Sequence, residues 1–162
     1  MKRTSLQLVV LSVALVCSGF TVAETGKGYM LGVSSDSITT ADGTRIAEST
    51  SKGVWLIENH PEGFSSVLYG ECSGTFVTGE DSSNKGSAWR CRAIDVDGDG
   101  YVSVGTALAP DWSDCAVESV VGWGKYAGTS YKGNCQPAGP FAAATVGNTN
   151  LFMWTGEWTL PE

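Results

Sequence analysis

Apolar and polar residues alternate along most of the chain, in short runs broken by glycine. In "SAWRCRAI" (87–94), Trp89, Cys91 and Ala93 fall on one face and Arg90 and Arg92 on the other. That is the period of a strand with one dry side and one wet side. In "LFMWTGEW" (151–158), Phe152, Trp154 and Trp158 share a side. Similar runs are "GYMLGV" (28–33), "GVWLIEN" (53–59), "SSVLYG" (65–70), "SGTFVTG" (73–79), "YVSVGTAL" (101–108), "VESVVGWG" (117–124) and "KYAGTSYKG" (125–133). No stretch after the first residues carries an amphipathic helix of three turns. Short strands at near-regular spacing predict an all-β fold, a single antiparallel β-barrel of about eight strands, with a β-sandwich as the alternative. The polar stretch "SSDSITTADGTRIAESTSK" (34–52) reads as a long loop or a mobile strand pair. Outward aromatic faces would instead mark an outer-membrane barrel, but the runs are short, so the rings are expected to fill the interior.

The first residues depart from this pattern. Lys2 and Arg3 precede an apolar run from Leu6 to Val16, and small residues lead to a cut after Ala23. This is the three-part export signal, and the run is short for a membrane span of about 20 residues. Residues 1–23 are therefore expected to be a signal peptide and 24–162 a single domain, periplasmic or extracellular. A lipoprotein reading through Cys17 is disfavoured by Val16 before it, where a small residue belongs. No second long apolar segment follows, so no membrane span is expected in the processed chain.

Removing 23 of 162 residues leaves 139, enough for one domain with a core. The processed chain has eight Lys and Arg against 17 Asp and Glu, a formal charge of 8 − 17 = −9. Such a chain repels phosphate backbones, and no basic cluster offsets this, so nucleic acid is not an expected partner. Cys72, Cys91, Cys115 and Cys135 remain, and an even number in an exported chain implies two disulfides. Zinc is disfavoured, because there is no Cys-x-x-Cys pair and His60 is the only histidine. Cys72 and Cys91 flank the loop "GEDSSNKG" (79–86), and Cys115 and Cys135 straddle "GWGKYAG". Sequential pairing, 72 with 91 and 115 with 135, is preferred among three possibilities. Each bridge closes a loop of roughly 20 residues and contributes about 3 kcal/mol in the chain-entropy model.

"DVDGDGYV" (95–102) poses the sharpest chemical question. Asp95, Asp97 and Asp99 match positions one, three and five of a calcium loop. The twelfth position, however, is Thr106, and Pro110 ends any exit helix. Asp-Gly is also a strong hairpin signal. A solvated turn is the preferred reading. Weak calcium binding is the alternative, with Asp111 and Asp114 as candidate extra ligands.

"CRAIDVDGDGYVSV" (91–104) resembles the Cys–strand–Asp–Gly–Asp turn of small exported bacterial β proteins. "GWGKYAG" (122–128) resembles their Gly-x-Gly-Lys-aromatic-x-Gly signature, also found in barrels of the dirigent and allene oxide cyclase type. The likeness covers about a quarter of the chain, residues 91–133, and Trp123 stands where the commoner pattern has Thr. It implies a calycin-like antiparallel barrel. It carries over no catalytic residue.

Other candidate chemistry is sparse. His60 has Glu58 and Glu62 beside it but no nucleophile elbow, and reads as a surface histidine. Glu58 and Glu71 are a carboxylate pair whose separation the sequence does not fix. Of six tryptophans, Trp55, Trp89, Trp123, Trp154 and Trp158 fall in predicted strands. Turned inward around a void they would line a pocket for a small apolar molecule; turned outward in a row they would stack on a glycan. The chain is expected to be a non-catalytic binding or structural module, monomeric or weakly oligomeric, with no cofactor unless calcium. The alternatives are a secreted isomerase or hydrolase on the same barrel, or a calcium-assisted glycan binder. An enzyme would need a buried polar cluster inside the barrel, and the sequence identifies none.

Overall fold

The computed structural model describes residues 20–137 and 150–161, without the side chains of 31–35, 137, 150 and 151. Eight antiparallel strands follow one another around a closed barrel. They are β1 (Phe20–Thr39), β2 (Arg45–Glu58), β3 (Val67–Thr78), β4 (Asn84–Ile94), β5 (Gly100–Ala107), β6 (Ala116–Trp123), β7 (Ser130–Pro137) and β8 (Asn150–Leu160). β8 returns to pair with β1, from Phe20 opposite Leu160 to Met30 opposite Asn150. The barrel forms, not the sandwich. Among the described residues no helix is long and apolar enough to cross a membrane.

Several boundaries differ from the alternation pattern. The export signal and Cys17 lie outside the described residues as far as residue 19, but Phe20–Ala23 belong to β1 and pair with Leu160–Glu157. Residues 34–52 are a strand pair: the end of β1 and the start of β2 run in register on either side of a turn at 40–44. "SSVLYG" and "SGTFVTG" fuse into β3 through Glu71 and Cys72, and Gly70 and Gly74 make room for rings and do not break the strand. "KYAGTSYKG" is not one strand. A 3-10 turn occupies Gly124–Tyr126, and β7 starts only at Ser130.

Aromatic rings fill the inside. At one end Trp158, 1 % exposed, meets Phe64 at 5.0 Å, Tyr101 at 5.1 Å and Tyr131 at 5.2 Å between ring centres. Phe64 comes from the β2–β3 loop and Tyr126 from the 3-10 turn, and their rings lie 4.5 Å apart, closing that end. In the middle Trp55 and Trp154 meet edge to face at 5.4 Å. At the other end Trp89 lies 6.2 Å from both Phe76 and Trp112. The β5–β6 loop is fixed there by Asn84, whose Nδ2 donates to the carbonyls of Ala107 and Ala109.

Eight strands leave an interior just wide enough for side chains, so rings of this size need small neighbours. The inward glycines supply them. Trp89 stands directly opposite Gly74 on β3 and Gly105 on β5, and Trp154 opposite Gly26 on β1. A Cβ at Gly26 or Gly105 would collide with the facing indole, and one at Gly70 would collide with Trp55. The paired Gly133 and Gly156 make the same room for Tyr131. Large side chains thus alternate with absent ones around the wall.

Both preferred disulfides form. Cys72–Cys91 joins directly opposite residues of β3 and β4, and Cys115–Cys135 ties the start of β6 to β7. Two such bridges are what an oxidising compartment permits.

The ring-on-glycine packing has a measurable consequence. Gly105→Ala should destabilise the protein by about 1–3 kcal/mol in urea denaturation, the usual cost of overpacking. In a Trp89→Leu background the same change should cost much less. Equal costs in the two backgrounds would show that the indole does not need the glycine.

Candidate functional site

The rings do not fill the barrel completely. A cavity of about 100 Å³ remains, walled by Met30, Trp55, Phe76, Trp89, Phe152 and Trp154, with the Cys72–Cys91 bridge in its side. The lining is overwhelmingly apolar, relieved by serine hydroxyls such as Ser51 and Ser103. An engineered apolar void of roughly 150 Å³ stays dry and takes up benzene, so this size suits a ligand of a few heavy atoms. Three of the five strand indoles, Trp55, Trp89 and Trp154, therefore face a common space. Trp158 belongs to the filled end. Trp123 lies outside the barrel, where Arg92 stacks 5.6 Å from its ring centre and its Nε1 donates to the Gly98 carbonyl at 2.8 Å.

Polar groups lie beneath the cavity. Glu24 is 2 % exposed and projects inward from β1, in the row formed with Gly156 and Gly133. Its two carboxylate oxygens accept from different indoles: Oε1 from Trp154 Nε1 at 3.2 Å, and Oε2 from Trp158 Nε1. Burial raises the Glu24 carboxyl above its ordinary range, against the pull of the Trp158 and Trp154 donors and of His60. Tyr131 is 3 % exposed and reaches along β7, with its hydroxyl lying over Gly133 and Gly156. Burial, and then the nearby Glu24 charge, push its phenol up. Tyr101 is raised well above its usual value for the same two leading reasons. Among the described residues, the Tyr131 hydroxyl is a buried polar side-chain atom without a hydrogen-bond partner. This is the polar cluster that the sequence did not reveal. Its one legible sign is phase: Glu24 alternates with Gly26, Gly28 and Met30, all interior positions.

The acidic turn lies at the filled end and is joined to the glycine-rich segment after β6. Asp95 Oδ1 accepts from the amides of Asp97 and Asp99 at 2.9 and 3.1 Å. Its Oδ2 accepts from Ser65 Oγ at 2.9 Å and pairs with Lys125 Nζ at 2.8 Å. Lys125 also pairs with Asp97 at 3.0 Å, and its amide donates to Asp99 Oδ2. Burial by itself would raise the Asp95 carboxyl, but these hydrogen bonds, led by Lys125 and Ser65, hold it below its usual range. Gly124 has φ +61, and a Cβ there would strike the Asp99 carboxylate. "DVDGDG" and "GWGK" are thus two halves of one structure, and its cation is the Lys125 ammonium. Asp111 and Asp114 are spent elsewhere: Asp111 accepts from the Ser113 amide, and Asp114 from the amides of Leu108 and Ala109. Among the described residues no group of three His, Cys, Asp or Glu side chains could hold a metal ion.

The remaining candidates stay apart from the cavity. Glu58 pairs with Lys27 at 3.5 Å and Glu71 with Lys52 at 2.6 Å, each an exposed ion pair. His60 Nδ1 lies 3.0 Å from the Pro61 carbonyl. Compared with known proteins, the chain matches no family model, and no curated protein or solved structure is similar to it.

Two outcomes follow. Glu24 keeps its proton to higher pH in the folded chain than in the unfolded one, so its contribution to stability falls as pH rises above the ordinary 4.5. The melting temperature of wild type minus that of Glu24→Gln should therefore decrease from pH 4.5 towards neutrality; a difference that grows with pH would contradict a raised carboxyl. Lys125→Met strands the buried Asp95 carboxylate and should lower the midpoint of urea denaturation, with partial recovery on adding Asp95→Asn. Unchanged denaturant midpoints would show that the ammonium is not the needed counter-charge.

Proposed function

We propose that the protein is an exported, non-catalytic binding module that takes one small apolar molecule into its barrel. The observation that carries this is the aromatic cavity beside an otherwise close-packed interior. Cores are normally packed without voids of this size, because a void forfeits dispersion contacts. Retaining one lined by three indoles is the arrangement expected of a preformed apolar site. The paired cysteines and the basic-then-apolar start of the chain support export. Calcium has no part in this reading, because Lys125 already brings a positive charge to Asp95 and Asp97. A glycan platform has little support, since Trp123 alone of the strand indoles faces outward and it is engaged by Arg92 and Gly98.

An isomerase or hydrolase on the same barrel is a second reading, favoured by Glu24 and Tyr131 beneath the cavity. Binding is preferred over it on chemical grounds. Both Glu24 oxygens are occupied by indole N–H groups, and burial keeps the tyrosines protonated, so among the described residues no free base stands ready to activate the serine hydroxyls that face the void.

Binding should be visible by titrating the protein with trichloromethane, an apolar quencher of four heavy atoms, while following tryptophan fluorescence and melting temperature. Wild type should show saturable quenching and a rise in melting temperature. Ser103→Leu, which fills the space from β5, should abolish both. Quenching that is unsaturable, or identical in the variant, would place the apolar probe somewhere other than the barrel interior.

A further inference from the structure

We infer that the cavity is built for a neutral, mostly hydrocarbon ligand carrying a single hydrogen-bonding oxygen, which meets the hydroxyl of Tyr131. This rests on the cavity being a ligand site and adds the class of ligand. Tyr131 lines the cavity and is 3 % exposed, yet among the described residues its hydroxyl has no partner. Buried hydroxyls in folded proteins are almost always hydrogen-bonded, and leaving one unpaired is costly. A phenylalanine at this position would pack as well against Trp158 and avoid that cost. Gly133 and Gly156 make room for the phenol oxygen by having no side chains. Along β7 the inward residues run from Tyr131 through Gly133 to Cys135, and Cys135 also lines the cavity. The ring therefore runs between the filled end and the cavity, and its hydroxyl, closed over by Gly133 and Gly156 with almost no free surface, meets a ligand oxygen when the ring turns towards the space above.

The charge around this hydroxyl narrows the class. Glu24 sits in the same row, opposite Gly156, and acts electrostatically on both Tyr131 and Tyr101. Among the described residues no Lys or Arg side chain lines the cavity. An anionic head group would face a buried carboxylate with no counter-ion, which a low-dielectric interior penalises heavily. A ketone or ester carbonyl, by contrast, accepts the phenol's proton in a hydrogen bond and brings no charge. The rest of the molecule contacts the rings of Trp55, Trp89 and Trp154.

The test uses three planar probes of one shape and four heavy atoms: 2-methylpropene, acetone and acetate. Affinities for full-length wild-type protein and for Tyr131→Phe are read by titration calorimetry at neutral pH. In the variant the affinity of the ketone relative to the hydrocarbon should fall about fivefold, while the hydrocarbon's own affinity stays the same. The carboxylate should not bind wild type. Tyr131→Phe should melt no lower than wild type, because it removes a hydroxyl that no protein group satisfies. A ratio unchanged by the substitution, as when the hydroxyl merely holds a buried water, overturns the inference and leaves the cavity reading intact. So does a carboxylate that binds as well as the ketone. If none of the probes binds wild type, the cavity reading itself fails.

Discussion

The fold depends on a steric bargain inside a narrow ring of strands. Eight strands enclose little space, and indoles would overfill it if every inward position carried a side chain. Glycines directly opposite Trp89 and Trp154, and beside Trp55, remove that conflict. Each ring then covers backbone that would otherwise be a weak, unpacked stretch of strand. Glycine costs backbone entropy on folding, and burial of large aromatic surface offsets it. The same packing makes the cavity. Rigid rings set on opposite walls cannot collapse together as flexible aliphatic chains would, so a gap persists between the Trp55–Trp154 pair and Trp89.

The far end is organised by charge. Asp95, Asp97 and Asp99 would repel one another on a bare turn. Lys125, delivered by the 3-10 turn after β6, pairs with two of them and donates its amide to the third. This fixes Tyr126 in place, and its hydroxyl accepts from the amide of Ser65. Ser65 in turn bonds Asp95. Three separate chain segments thus close the end on which Trp158 and the tyrosines rest. The cavity has a firm base because Lys125 ties the carboxylates beneath it to the 3-10 turn.

Much of the architecture was legible from alternation alone. "SAWRCRAI" shows its two faces in the letters, and β4 forms with the expected residues inside. Cysteine spacing found both bridges, because each closes neighbouring strands. Glycine misled the boundaries: Gly70 ended one predicted run, yet it lies within β3 against the Trp55 ring. Trp123 belonged to the strand set by phase, but its side is decided by the pairing of its strand with Gly100, which no local pattern reveals. Glu24 and Tyr131 meet only through the β1–β8 and β7–β8 registers. Contacts between positions more than 100 residues apart leave no trace in a short window of sequence.

The seam between β1 and β8 joins residue 20 to residue 160. Until the last strand of the barrel arrives, the sheet is an open ribbon with two raw edges, and Glu24 has neither Trp154 nor Trp158 to receive it. A chain built this way cannot complete itself while it is still being made. However early the first strands form, the ring of strands closes only once residue 160 has been made.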